Sequence, residues 1–306
     1  MWIIKHRTIF YIFSAILIVA SFVSLAIWGL QVGVDFKGGT VIEMTYPAGR
    51  PDKAMVESKI AETAQAISLG NYILRPIGDK DYSIKSRQVN ESERQQLQAA
   101  FSNAGASAEL KKINSIGPVI GGEATKKAVV SVILVILCIV LFITFAFRKV
   151  SKPVASWKFG LMAIVALAHD VIIPIGAFSI LGHYFGYEVD TLFVTALLVI
   201  LGFSIHDTIV VYDRIRENLK ISDMEKDKKE FVTIVGESVR QTFVRSINTS
   251  MSTILALVAL YFLGAEATRH FSLALIIGIA VGTYSSIFIA SALLVTIQKF
   301  QDKKTA

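Results

Sequence analysis

The stretch that decides the reading is Leu192 to Asn218, LFVTALLVILGFSIHDTIVVYDRIREN. It starts as an apolar run long enough to cross a bilayer, which takes about 20 residues, yet His206 and Asp207 lie inside that run. It then passes without a break into Asp213-Arg-Ile-Arg-Glu-Asn218. A carboxylate in hydrocarbon costs about 2.5–3.5 kcal/mol on insertion scales, so it is rarely kept without a task. The rest of the chain is read outward from this acid.

The 306 residues are 53% hydrophobic and 18% charged, with a mean hydropathy of +0.57. That balance excludes an ordinary soluble domain and fits a polytopic membrane protein. The net charge of +7 raises nucleic acid as a partner, but the basic residues flank apolar spans, where membrane orientation explains them. The single Cys138 lies in an apolar run; it offers neither a disulfide nor a metal cluster.

Six apolar spans are predicted, at about Ile9–Leu30, Ala128–Phe147, Phe159–Leu181, Leu192–Tyr212, Ile247–Leu263 and Phe271–Ile297. The first follows Lys5, His6 and Arg7, but its apolar run is too long for a signal peptide, so it is read as a retained helix. Lys and Arg cluster at the N-terminus, at Arg148, Lys149, Lys152 and Lys158, from Arg214 to Arg245, and at Lys299, Lys303 and Lys304. The loop Gly182–Asp190 has none and Gly264–His270 has Arg269 alone. Both termini are therefore expected in the cytoplasm.

The expected organisation is residues 1–30 as N-terminus and first helix, 31–126 as an extracytoplasmic domain, and 127–306 as helices two to six with a cytoplasmic loop at 213–246. In the external segment, strands are predicted at Thr40–Tyr46, Tyr72–Ile77, Asp81–Val89 and Ala108–Ile116, and helices at Pro51–Ser68 and Glu91–Asn103. The order βαββαβ is the ferredoxin-like pattern, an α+β domain. In the cytoplasmic loop, Phe231–Val244 has amphipathic spacing and is expected along the membrane surface, or as a solvated connector.

Five residues stand out as a proton pathway: Asp207, Arg245, Asp170, His206 and His169. Asp207 is read as a proton site, against the plainer reading of a residue that only hydrogen-bonds a neighbouring helix. Asp170, again preceded by a histidine, is the second intramembrane acid. Neighbouring helical residues point about 100° apart, so neither His-Asp pair is expected to act as a couple, and supporting roles for both histidines rank ahead of proton relay. Whether Asp170 and Asp207 meet across two helices is open. Arg245 opens the fifth span, and Asn248, Thr249 and Ser252 continue a polar stripe that is expected to face the bundle. A pair of Asp207 and Arg245 that forms and breaks with protonation is a proton-coupled switch; the plainer alternative is a snorkelling arginine. Gly278, Gly282, Ser286 and Ala290, at every fourth position, form a ridge for close helix packing. Pro174 removes one backbone bond from the third span.

The sequence lacks GxxxxGK[ST], HExxH, GxSxG and a Cys/His metal pattern, so neither an enzyme, nor a cofactor, nor a metal is expected.

Against that background several motifs resemble those of the SecD/SecF protein-export family. Gly33-Val-Asp-Phe-Lys-Gly-Gly-Thr40 is similar to the signature that opens its external domain, with Asp35, Gly38 and Gly39 as the motif and hinge residues. Gly202 to Asn218 resembles its fourth-span motif, Arg245-Ser-Ile-Asn-Thr-Ser250 its fifth and Ala168-His-Asp-Val171 its third. Where the family more commonly has Asn before the fourth-span acid, this chain has His206. The family belongs to the resistance-nodulation-division superfamily of proton-driven transporters. The resemblance implies an accessory subunit of the bacterial Sec translocase, working with SecD beside the SecYEG channel on a translocating preprotein, surrounded by membrane lipid and without nucleic acid. It also implies that Asp207 and Arg245 fall on proton-pathway positions, and that a second six-span half comes from another chain. The alternatives are a proton-coupled exporter of small molecules or lipids, an intramembrane hydrolase with Asp170 and Asp207 as a dyad, and a scaffold. The exporter normally carries two six-span halves, the hydrolase leaves Arg245 without a role, and the scaffold leaves the cost of Asp207 unexplained.

Overall fold

The computed structural model describes residues 2–105, 107–146, 156–224 and 229–305. The basic residues Arg148, Lys149 and Lys152, and part of the mixed-charge run at Ile221–Glu230, lie outside them. In chain order the elements are α1 (Trp2–Lys5), α2 (Arg7–Trp28), α3 (Val34–Lys37), β1 (Gly39–Thr45), α4 (Lys53–Ala66), β2 (Ile73–Ile77), β3 (Asp81–Ser86), α5 (Glu91–Ser102), β4 (Glu109–Ile116) and α6 (Pro118–Ala146). There follow α7 (Ser156–Phe185), α8 (Thr191–Met224), α9 (Phe231–Leu263), α10 (Glu266–Tyr284), a π-helical turn (Ser285–Ala290) and α11 (Ser291–Thr305). The chain divides into two compact units, one of Met1–Gln31 with Val129–Ala306 and one of Val32–Ala128.

The second unit is the ferredoxin-like domain. Its sheet is antiparallel throughout, in the order β2-β3-β1-β4. Alternation along β1 and β3 sends Ile42, Met44, Tyr82 and Ile84 to one face, where Val56 and Ile60 of α4 and Leu97 and Phe101 of α5 complete the core. Asn90 and Glu93 cap α5 reciprocally, each side chain bonding the other's backbone N–H. Gly38 and Gly39 adopt φ of +75° and +129°, angles that glycine takes without steric cost. They are packed within this unit: a Cβ on Gly38 would lie 2.8 Å from Pro118 Cα, and one on Gly39 2.6 Å from the Ser86 carbonyl oxygen.

The first unit holds the helical bundle, and six helices among the described residues are long and apolar enough to cross a membrane. Three, α6, α8 and α9, outrun one end of their predicted spans by ten residues or more, because charged helix can continue in water once the apolar segment has ended. The 34 residues of α8 run about 50 Å at 1.5 Å each, against about 30 Å of hydrocarbon. Phe231–Val244, expected along the membrane surface or as a solvated connector, is the first part of α9, one unbroken helix of 33 residues with the fifth span. Its apolar face is used to pack, burying Ile234, Val235, Ser238, Val239 and Thr242. Asn218 of α8 donates to Ser238 Oγ at 2.8 Å and to Gln241 Oε1 at 2.9 Å, which joins the two helices beyond their apolar parts.

The small-residue ridge packs as predicted. A Cβ on Gly278 would collide with Ile200, and one on Gly282 would lie 3.0 Å from Ser204 Cβ. Ser286 pairs with Thr208 at 2.8 Å, and the Ala290 carbonyl accepts from Tyr212 at 3.3 Å. These four pairs keep one constant sequence offset, so α8 runs parallel to α10 and the turn after it, ridge against ridge.

Candidate functional site

Two acids lie inside the bundle. The stripe that α8 buries runs through Ile200, Ser204, Asp207, Thr208 and Val211, a helical periodicity that carries Asp207 inward and leaves His206 exposed. Asp170 is on α7, fully buried, with His169 3% exposed beside it.

The two are held differently. Asp170 is gripped from three sides: His169 Nδ1 lies 2.8 Å from Oδ1, Ser285 Oγ donates to Oδ2 at 2.6 Å, and Ser204 of α8 donates to Oδ2 as well. The other ring nitrogen of His169 lies 3.1 Å from Ser14 Oγ of α2. His169 and Asp170 therefore touch, although no shared face, and so no catalytic couple, is expected of adjacent helical residues. The backbone vectors do diverge by about 100°, but both side chains are long enough to bend toward each other across the helix surface. Pro174 adds a further local feature, since it has no N–H to give the Asp170 carbonyl one turn back.

Asp207 is 2% exposed, yet among the described residues the one hydrogen bond within reach of it comes from Ser250 Oγ of α9, donating to Oδ2 at 3.3 Å, with the Ser246 hydroxyl the next toward it. Ser250 in turn receives Thr283 Oγ1 of α10 at 2.5 Å. Arg245 is exposed, forms no ion pair with Asp207 among the described residues, and acts on it only through space. The expected polar stripe is also displaced. Arg245, Asn248, Thr249 and Ser252 face outward from this chain. The hydroxyls that α9 turns inward are Ser238, Thr242, Ser246 and Ser250, spaced by four. Thr249 and Ser252 satisfy themselves on carbonyls of their own helix, at 2.9 and 2.8 Å, which lets an outward face carry them.

Asp170 and Asp207 do not meet. They are joined indirectly, through α8, which offers Ser204 to one and carries the other, and through Thr283 and Ser285, two positions apart where α10 passes into the π turn. The sequence reading passed over Ser14, Ser204, Thr283, Tyr284 and Ser285. A signal was available: Thr283-Tyr-Ser-Ser286 places four hydrogen-bonding side chains in succession inside an apolar span, an arrangement that needs partners on every side.

The comparisons agree with this architecture. A family described as protein export membrane protein SecD/SecF, C-terminal, matches residues 96–300. The protein translocase subunit SecF of Thermobaculum terrenum is 41% identical over 304 residues, covering 96% of this chain and 93% of its own. That of Sebaldella termitidis is 33% identical, covering 98% and 92%. The crystal structure of SecDF, a translocon-associated membrane protein from Thermus thermophilus, superposes with a TM-score of 0.81 at 30% identity, over 97% of this chain. This chain spans 38% of that longer one. With the motifs around Asp170, Asp207 and Arg245 in place on one six-span bundle, the chain belongs to the SecD/SecF family of protein-export membrane proteins.

Proposed function

We propose that the protein is the SecF-type subunit of a Sec translocase. With SecD beside SecYEG, it uses the proton gradient to assist late steps of preprotein export, and Asp207 is its proton-binding site. The observation that carries the reading is the unequal treatment of the two buried acids. Asp170 is fully buried with a full set of partners, whereas Asp207, nearly as little exposed, is held by one long hydrogen bond. A carboxyl held so lightly can gain or lose a proton without dismantling a network, whereas Asp170 serves with His169 as the fixed side of the path.

Arg245, outward on α9, and the neighbouring His206 lie where a second six-span half contributed by SecD would complete the site. Movement toward Asp207 and away from it then follows the acid's charge. Each proton crossing supplies about 2.3 kcal/mol per 100 mV and about 1.4 kcal/mol per pH unit, which biases a two-state movement without making it irreversible. The movement passes along α2 into the turn at Asp35, Gly38 and Gly39 and so to the domain that holds the preprotein. Both termini are placed in the cytoplasm of a bacterial cell with this subunit in its inner membrane.

The test is gradient-dependent preprotein export in vesicles carrying Asp207→Asn, with insertion and assembly checked alongside. Loss of the gradient-dependent part in a well-inserted variant is the expected result. An undiminished response to the gradient overturns the reading.

A further inference from the structure

Four consecutive residues across the junction of α10 and the π turn reach four different helices. Thr283 Oγ1 lies 2.5 Å from Ser250 Oγ of α9, and Tyr284 OH donates to the Phe10 carbonyl of α2 at 2.9 Å. Ser285 Oγ donates to Asp170 of α7 at 2.6 Å, and Ser286 Oγ pairs with Thr208 of α8 at 2.8 Å. Side chains 100° apart on a helix fan around its whole circumference in four steps, so this segment is the hub of the bundle. It is also where the helix leaves α geometry for the π turn at Ser285–Ala290, a local form found mostly at functional positions.

We propose that Thr283, Tyr284, Ser285 and Ser286 form a positioning relay that couples the state of Asp207 to Asp170 and to α2. The inference rests on Asp207 being the proton site and adds the route by which its state is read.

Hydroxyl protons make the relay two-state. Each hydroxyl has one proton, and at three positions two acceptors are within reach. Ser250 Oγ has Asp207 Oδ2 at 3.3 Å and the Ser246 carbonyl at 2.9 Å. Thr283 Oγ1 has Ser250 Oγ at 2.5 Å and the Ile279 carbonyl at 2.8 Å. Ser285 Oγ has Asp170 Oδ2 at 2.6 Å and the Gly282 carbonyl at 3.1 Å. In every case one acceptor is on another helix and one is on its own. An ionised Asp207 accepts the Ser250 proton. Once protonated, it becomes a donor toward Ser250 Oγ, and the Ser250 proton turns to the Ser246 carbonyl. Ser250 Oγ then faces two donors, and Thr283 has Ile279 as its alternative. Protons are conserved throughout: one is added at Asp207 and the others rotate. The carbonyls whose bonds change, those of Ile279 and Gly282, both lie in the last turns of α10, leading into the π turn. The ionisable groups around the two acids are His206 on α8 and Arg245 on α9 near Asp207, and His169 on α7 with Tyr284 on α10 near Asp170; α2 contributes the Ser14 hydroxyl.

The test follows the carboxyl infrared band of Asp207, assigned by its absence in Asp207→Asn, as a function of pH in the full chain assembled with its partner subunit. Ser285→Ala, which touches Asp170 and not Asp207, is expected to move the pH at which that band titrates by about one unit, a tenfold change within the ordinary range of coupling between sites. Ser285→Thr, which keeps the hydroxyl, returns it. The isosteric Thr283→Val moves it too, and the double variant Thr283→Val with Ser285→Ala moves it no further, because the route is already cut. An Asp207 titration unchanged in Ser285→Ala, or shifts that simply add in the double variant, overturn the relay. Should Asp207→Asn keep its gradient response while Ser285→Ala shifts the band, the coupling stands and the export role of Asp207 falls, so the two failures are told apart.

Discussion

Asp170 and Asp207 sit in one bundle with similar burial, and the contrast between them shows what a membrane interior does with an acid. Asp170 is surrounded by a histidine and two serines from three separate elements, and so joins α7, α8 and the π turn. Asp207 has one serine at 3.3 Å. Burial alone therefore does not mark the working acid. The number of groups that would be left without partners if the proton state changed is the better guide, because buried orphaned donors each cost about 1–3 kcal/mol.

The largest effect should come from the lightly held acid, and in function rather than stability. Asp207→Asn keeps shape and volume and leaves Ser250 an acceptor. It should remove the gradient-dependent part of export while thermal unfolding of the purified protein stays close to that of the parent. A melting temperature lowered as far as for an Asp170 variant would erase the distinction. Asp170→Ala is the reverse case. It takes the carboxylate acceptor from Ser204 and leaves His169 and Ser285 with only their other contacts, the Ser14 hydroxyl and the Gly282 carbonyl; the lost bonds and the cavity together should cost about 2–5 kcal/mol, read as a large drop in melting temperature or failure to accumulate. An Asp170→Ala protein that melts like the parent would show that the network is decorative.

Packing that holds both acids in place should respond on a smaller scale. Gly278 faces Ile200 with no room for a Cβ, so Gly278→Val should cost about 1–3 kcal/mol by overpacking. It should also shift α10 against α8, where Ser204 and Asp207 lie. Gly122, whose added Cβ would meet nothing within 4 Å, is the control: Gly122→Ala should be neutral or slightly stabilising in the same melt, since alanine is the better helix former.

Much of this was legible from residues alone, for definite reasons. Period-two alternation with flanking turns located all four strands, and the small-residue spacing from Gly278 to Ala290 marked a ridge for close packing, whose partner, α8, only the structure names. Asp207 declared itself because a carboxylate in an apolar run has no cheap explanation. What stayed hidden depends on side-chain reach and helix phase. Helix phase on α9 put Ser246 and Ser250 inward and Arg245 outward, one position away from the stripe that polarity suggested. His169 reaches Asp170 although their backbone directions diverge. The π turn has no sequence signature of its own, and the run Thr283–Ser286 announces a need for partners without saying which helices supply them, so the four-way hub emerged only in three dimensions.

The smallest effect concerns carboxylates held by the opposite means, with full charges in water. In the ferredoxin-like unit, Arg87 binds Glu93 with two bonds, at 2.7 and 3.0 Å. This pairing and the backbone bond from Asn90 hold the Glu93 carboxyl at about 2 instead of its ordinary 4.5. Asp81 is pulled the same way: burial pushes its carboxyl up, but bonds from Lys111 and Thr45 outweigh that and leave it below the usual range. A carboxyl depressed in the folded state stabilises the fold above its unfolded pKa and loses that contribution as pH falls through the folded value. The unit should therefore weaken as pH drops from about 4.5 toward 2. Arg87→Ala should bring Glu93 back toward its ordinary range and flatten that part of the pH dependence, measured by denaturant unfolding of the full chain followed through the sheet's circular dichroism. High salt should mimic the substitution, because an exposed ion pair is screened. The hydroxyl contacts around Asp170 and Asp207 should not respond to salt at all, and a salt effect of equal size on the bundle's melting would mean that charge, not hydroxyl geometry, holds the buried acids.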